Sequence, residues 1–220
     1  MKRFILAAAL AVAMTPAAVS PLPAQDAAAI VNRAARMYRG LTSLRANFTQ
    51  VIDNPMIGTA TSRGTLTQAG SNQLAMRFSD PKGEAIVIDG KYIWIYTPST
   101  TPGQVIRQAL PSSGAGYGFN LLGWFLDDPA NRYAMRYIRK DKVGGRAVDV
   151  VELTPRSDSM PFTSARIWLD RVSALPRKLE IQERTGGTRT LTLADMRTNV
   201  SVPDDAFTFD VPSGVRVIDQ

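Results

Sequence analysis

At 220 residues and a net charge of +7, the chain is long enough for one ordinary globular domain, or for one domain behind a leader. It contains neither cysteine nor histidine. Disulfides, thiolate nucleophiles, iron–sulfur ligands, the usual zinc sites and His-based acid–base catalysis are thereby removed, so no enzyme, metal or cofactor is expected.

Lys2 and Arg3 are followed by an unbroken apolar run from Phe4 to Met14 and a small-residue, Pro-rich stretch from Thr15 to Ala24. The run is shorter than the roughly 20 apolar residues of a spanning helix, which predicts a cleavable signal peptide over 1–24. Residues 25–220 are then a single exported domain. No later stretch could cross a bilayer, so the mature form is expected to be soluble.

Beyond the leader, Ile30, Ala34, Met37, Tyr38 and Leu41 recur at three- and four-residue spacings, which predicts an amphipathic helix ended near Gly40. The period then changes to two: Leu44, Ala46, Phe48, Gln50 and Ile52 alternate with polar residues as in a half-buried strand. Strands are expected at 58–68, 73–78, 85–88 and 91–96, with Asp89-Gly90 as a two-residue hairpin turn opposing Ile88 to Lys91 and Ile86 to Ile93. Ile86, Ile88, Ile93 and Ile95 share one face in that register. Five more strands, at 132–140, 146–154, 162–169, 177–184 and 188–196, are separated by turn chemistry. About ten short, mostly hairpin-connected strands argue for one large antiparallel sheet curled into a barrel or half-barrel.

Between the halves, residues 114–128 predict a short helix with Phe119, Leu122 and Leu126 on one side and Leu121, Trp124 and Phe125 on the other. Apolar nearly all round, it needs a cover. The glycines at 114, 116 and 118 read as a hinge, and Asp128-Pro129 as its end.

One apolar face gathers Phe48, Leu74, Met76, Phe78, Ile86, Ile93 and Ile95, and periodicity alone fits a filled core as well as a hollow one. Two helices and few large aromatics are little to plug so large a sheet, and larger barrels enclose ligand space. An exported, apolar-lined domain with a Gly-flanked hydrophobic helix suits a carrier of acyl chains, the helix filling the cavity when cargo is absent. On the strand after that helix, alternation places Arg132, Arg136 and Lys140 outward and Tyr133, Met135 and Tyr137 inward. That basic face is either solvated or docks an acidic partner or anionic headgroups; with its aromatics turned away, nucleic acid is not expected. The adjacent acids Asp127-Asp128 and Asp204-Asp205 do not face each other as an acid–base dyad. Asp204 is expected to cap a helical turn.

Four segments together resemble a known family: Leu44-Arg-Ala-Asn-Phe48-Thr-Gln50, Gly64-Thr-Leu66, Ile86 to Tyr96 with its Asp-Gly-Lys turn and Trp94, and the tail from Phe207 to Val215. The chain resembles the LolA family of periplasmic outer-membrane lipoprotein carriers. The resemblance implies an unclosed antiparallel β-barrel of about eleven strands under a helical lid. It also implies a monomeric carrier that takes mature lipoproteins from an ATP-driven inner-membrane release complex to a LolB-like outer-membrane receptor. It assigns Leu74, Met76, Phe78, Ile86 and Ile93 to the acyl cavity, Phe119 and Leu122 to the lid, and Tyr38 to a helix position facing the cavity. A sensor on the same fold, similar to RseB, is the alternative. Relatives place a lid-latching Arg-Pro turn where this chain has Gly70-Ser71, and a Trp where it has Met76, which predicts an adaptable pocket and a less firmly held lid.

Overall fold

The computed structural model describes residues 26–56, 58–110 and 120–220. The expected signal peptide, the three hinge glycines and Phe119 lie outside the described residues.

Helix α1 (Ala27–Arg39) is capped by the Asp26 carboxylate, which accepts the Ala28 and Ala29 N–H groups, and Gly40 is its C-cap. Val31, Ala34 and Ala35 form its buried stripe, while Met37, at the margin of that stripe, is exposed. The strands are β1 (Ser43–Asn54), β2 (Gly58–Ala69), β3 (Gln73–Asp80), β4 (Lys82–Asp89), β5 (Tyr92–Tyr96) and β6 (Gln104–Ala109). Helices α2 (Leu121–Leu126) and α3 (Pro129–Arg132) follow. Then come β7 (Tyr133–Val143), β8 (Arg146–Pro155), β9 (Phe162–Asp170), β10 (Pro176–Glu183), β11 (Thr188–Thr198) and β12 (Arg216–Asp219).

All twelve form one sheet in the order β12-β6-β5-β4-β3-β2-β1-β11-β10-β9-β8-β7, with β12 and β7 at its two edges. The barrel is therefore unclosed. The pairings are antiparallel except that of β12, which runs parallel to β6 and is held there by a bidentate Arg107–Asp219 ion pair. On the concave side α1 covers the sheet, and α2 packs against α1. Among the described residues, no helix is long and apolar enough to cross a membrane.

Three local expectations need correction. Ile88 stands opposite Ile93 and Ile86 opposite Ile95, so the two residues connecting β4 to β5 are Gly90 and Lys91 rather than Asp89 and Gly90. The Asp89 carboxylate holds that displaced turn by accepting from the Lys91 and Tyr92 N–H groups and from Trp94 Nε1, at 2.7–2.8 Å. Side-chain direction repeats every two residues, so the four isoleucines keep their common face. In β7 a bulge at Ile138 ends the expected alternation: Arg136 pairs with Glu152 on the convex side, whereas Lys140 falls opposite Asp149 on the concave side. The turn before the tail, a 3₁₀ segment Asp204–Phe207, carries Pro203 rather than Asp204 at its cap position.

Candidate functional site

The concave wall is built by cross-strand register. Ala46, Leu66, Met76, Ile86, Ile95 and Ile106 stand opposite one another in sequence across β1 to β6. One apolar row thus crosses half the sheet, because directly opposed residues point to the same face. Its exposure is graded: Ala46, Leu66 and Met76 are buried, and Ile86, Ile95 and Ile106 are half-buried. A second row, Leu74, Ile88 and Ile93, is wholly buried.

A glycine shapes the wall at its aromatic corner. Gly64 lies opposite Phe48 on one side and Phe78 on the other, and the two rings meet across it edge to face, with centroids 5.1 Å apart. A Cβ at Gly64 would overlap the Arg77 carbonyl oxygen and come within 2.9 Å of Phe48 Cε1. Only glycine leaves room for this pair.

Tyr38, Phe48, Leu74, Met76, Phe78, Ile86, Ile93 and Ile95 all belong to one continuous apolar cluster. So do Leu122 and Leu126 of α2, with 3% and 0% exposure, and so do Trp124 and Phe125. The structure thus brings the expected wall and the described part of the expected lid together, with the lid helix closed into the concavity. Trp124 and Phe125 anchor it against Phe162, with ring centroids 5.4 and 5.2 Å away, and Phe125 stacks on Tyr133. These aromatics, the start of β7 and the start of β9 form a mooring that helical periodicity did not single out.

Both ends of α2 are also held by polar contacts. The Asn120 side-chain oxygen caps α2 by accepting the Gly123 N–H at 3.0 Å, and it lies 3.1 Å from the Tyr38 hydroxyl. That hydroxyl donates to Gln68 Oε1 at 2.6 Å, while Gln68 Nε2 donates to the Gly70 carbonyl. Burial pushes the Tyr38 hydroxyl up to about 12, against the opposing pull of its bonds to Gln68 and Asn120, so it stays protonated. At the other end Arg132 Nη1 donates to the Trp124 carbonyl at 2.8 Å. The expectation of a less firmly held lid left out this Tyr38–Gln68–Asn120 bridge, whose three members lie on α1, on β2 and at the start of α2. No sequence signal joined them.

The three basic residues read together from the sequence do not share a surface. Arg132 is taken up by α2 and lies over the Tyr133 ring, Arg136 pairs with Glu152 at 2.6 Å on the convex side, and Lys140 is turned the other way by the bulge. Among the described residues, no group of three or more Asp or Glu could hold a metal ion.

The profile described as outer membrane lipoprotein carrier protein LolA matches residues 39–210. The outer-membrane lipoprotein carrier protein of Cupriavidus necator is 27% identical over 99% of both chains. Among solved structures, an uncharacterized conserved protein from Thermus thermophilus aligns over 89% of this chain and 100% of its own, with a TM-score of 0.57 and 12% identity. MucB aligns over 86% of this chain and 64% of its own, with a TM-score of 0.53 and 19% identity. The two structures share the fold.

Proposed function

We propose a function from family membership: the chain belongs to the LolA family of outer membrane lipoprotein carrier proteins. It binds the acyl chains of lipoproteins on its concave wall and ferries them through the periplasm, from an ATP-driven inner-membrane release complex to a LolB-like receptor. The observation that carries this reading is the graded apolar row, which runs from buried Met76, in the same apolar cluster as helix α2, to half-buried Ile106. A guest could start on the accessible isoleucines and displace the helix as it advances.

Burial is worth roughly 0.8 kcal/mol per methylene, so two or three acyl chains leaving a bilayer need tens of kcal/mol of apolar replacement. The four apolar lid side chains Leu122, Trp124, Phe125 and Leu126 are each worth about 1.5–3 kcal/mol when buried. Cargo therefore outweighs the lid in competition for the wall. The Phe48–Phe78 corner, Leu74, Met76, Ile86, Ile93 and Ile95 form the acyl surface, Leu122 and Leu126 belong to the lid, and Tyr38 is its polar catch.

Met76→Glu and Ile93→Glu test the pocket: each is expected to abolish release of lipoproteins from spheroplasts into solution, with circular dichroism confirming a folded chain. Unaltered release by both variants would contradict the assignment. A sensor of the RseB kind, the second reading of this fold, binds acyl chains without releasing lipoproteins from spheroplasts, so failure of the unsubstituted chain in that assay favours it.

A further inference from the structure

The opposite, convex side of the sheet carries a feature that acyl transport does not use. Arg45 on β1 stands directly opposite Arg197 on β11, and both are exposed. Like charges placed across a ladder repel, so such a pair costs stability unless something neutralises it. Among the described residues, neither guanidinium has a partner. The adjacent arginine of this face, Arg77, is already occupied, donating to the Ala206 and Thr208 carbonyls and so holding the C-terminal segment on the sheet.

The local backbone is shaped around this pair. Between Arg45 and Asn47 the ladder slips by one residue, and Asp195 in the bulge adopts a positive φ of 51°. A bulge with a left-handed non-glycine residue is conformationally costly and re-aims its neighbours. Asn47 Nδ2 donates to the Asp195 carboxylate at 2.8 Å, which fixes the direction of that acid beside the two arginines.

The arginines line a cleft of about 250 Å³ that extends, through Arg45, Thr65 and Thr67, into a second of about 170 Å³. Val200, Pro203 and Ala206 of the C-terminal segment wall it on one side. Among the described residues, the Thr65 and Thr67 hydroxyls have no hydrogen-bond partner. The cleft carries three arginines, Arg45, Arg77 and Arg197, against two acids, Asp195 and Asp205, so its positive excess sits at the unpartnered Arg45–Arg197 pair. An extended chain bearing carboxylates fits there, since an arginine can grip each carboxylate through two N–H groups.

We propose that this convex cleft is a docking site for an acidic segment, rich in Asp and Glu, of a protein partner. It lies on the face away from the acyl wall, so cargo and partner can be held at the same time.

The test is fluorescence anisotropy of a fluorescein-labelled Glu/Thr peptide with the purified chain, compared across two double variants of equal net charge. Arg45→Gln/Arg197→Gln is expected to raise the peptide Kd about tenfold. Arg156→Gln/Arg216→Gln, which removes two exposed arginines elsewhere, is expected to change it less than about twofold. Equal losses in both variants would reduce the effect to net charge and overturn the site, as would unchanged binding by the first. Stronger dependence of phosphatidylglycerol vesicle binding than of peptide binding on Arg45 and Arg197 would also overturn it, in favour of a membrane. Acyl-cargo uptake by the Arg45→Gln/Arg197→Gln chain is expected to stay normal, so failure of this cleft and failure of the carrier reading register in different assays.

Discussion

Replacing Asn120 by alanine removes one oxygen that does two things: it caps α2 through the Gly123 N–H and stands 3.1 Å from the Tyr38 hydroxyl. An N-cap is worth about 0.5–2 kcal/mol, and a hydrogen bond in a buried polar group adds roughly 1 kcal/mol. A closed lid weakened by about 1–3 kcal/mol opens about 5–150-fold more often. The Trp124 and Asp127 amides report this opening, because they donate to the Asn120 and Gly123 carbonyls within the helix. Native-state hydrogen exchange of those two amides should accelerate by that factor in Asn120→Ala, with β8 and β9 amides unchanged. Asn120→Ser, whose shorter side chain can still cap but cannot reach Tyr38, should show a smaller part of the effect. Tyr38→Phe should match the part that serine loses. Unchanged protection of Trp124 and Asp127 in both Asn120→Ala and Tyr38→Phe would show that the aromatic mooring alone holds the helix and would refute the polar bridge.

Gly64→Ala should cost about 1–3 kcal/mol by denaturant unfolding, since the new methyl meets a backbone carbonyl and the Phe48 ring; a cost below about 0.5 kcal/mol would mean the corner relaxes freely. Burial would raise the Asp170 carboxyl, but hydrogen bonds from Arg146 and from the Ser173 and Val172 N–H groups outweigh it and hold the group well below the ordinary carboxylate range. Its contribution is therefore complete above about pH 4 and lost as pH falls below that, and Asp170→Asn should remove about 3 kcal/mol at neutral pH and flatten the acid limb of the stability curve. The Tyr38 hydroxyl titrates in the opposite sense: held protonated up to about 12 in the folded chain and to about 10 when unfolded, it leaves stability unaffected below pH 10 and lowers it between pH 10 and 12. Tyr38→Phe should remove that portion of the alkaline loss, and an identical alkaline limb would place the titration elsewhere.

Much of the sheet was legible because its strands alternate cleanly: Leu44, Ala46 and Phe48 face inward as their period of two requires. Strand β6 escaped notice because Val105 and Ile106 are a short apolar pair behind the polar stretch 97–104, and β12 because four residues in a tail hold no period at all. The bulge at Ile138 was invisible for a different reason. An extra residue in one strand is fixed by the partner strand, where Val150 and Val151 face opposite sides of the sheet, and nothing within 132–140 announces it. The apolar wall was readable as a face, since the displaced turn after Asp89 shifts the register by two and so preserves side-chain parity. The Tyr38–Gln68–Asn120 bridge was not. Residues 30 and 82 positions apart in the chain meet only after the sheet has curled and α1 has crossed it.

A polar bridge of uncharged groups has a consequence for how such a lid can be released. An arginine catch would leave a buried charge to be rehydrated or paired whenever the lid moved, at a cost of several kcal/mol. Tyr38, Gln68 and Asn120 expose only neutral groups, and each can exchange its partner for water at roughly 1 kcal/mol or less per bond. A change of pH near neutrality cannot work this catch either, since Tyr38 stays protonated far above it. What remains is competition for the apolar wall itself. On the proposed carrier reading, a guest that filled the space of Leu122, Trp124, Phe125 and Leu126 would supply more burial than those four side chains gave up, and the neutral bridge would then yield with little resistance. Departure of the guest would, on the same reading, let those apolar side chains return to the wall, with the Asn120 oxygen, already committed to capping its own helix, again within reach of Tyr38.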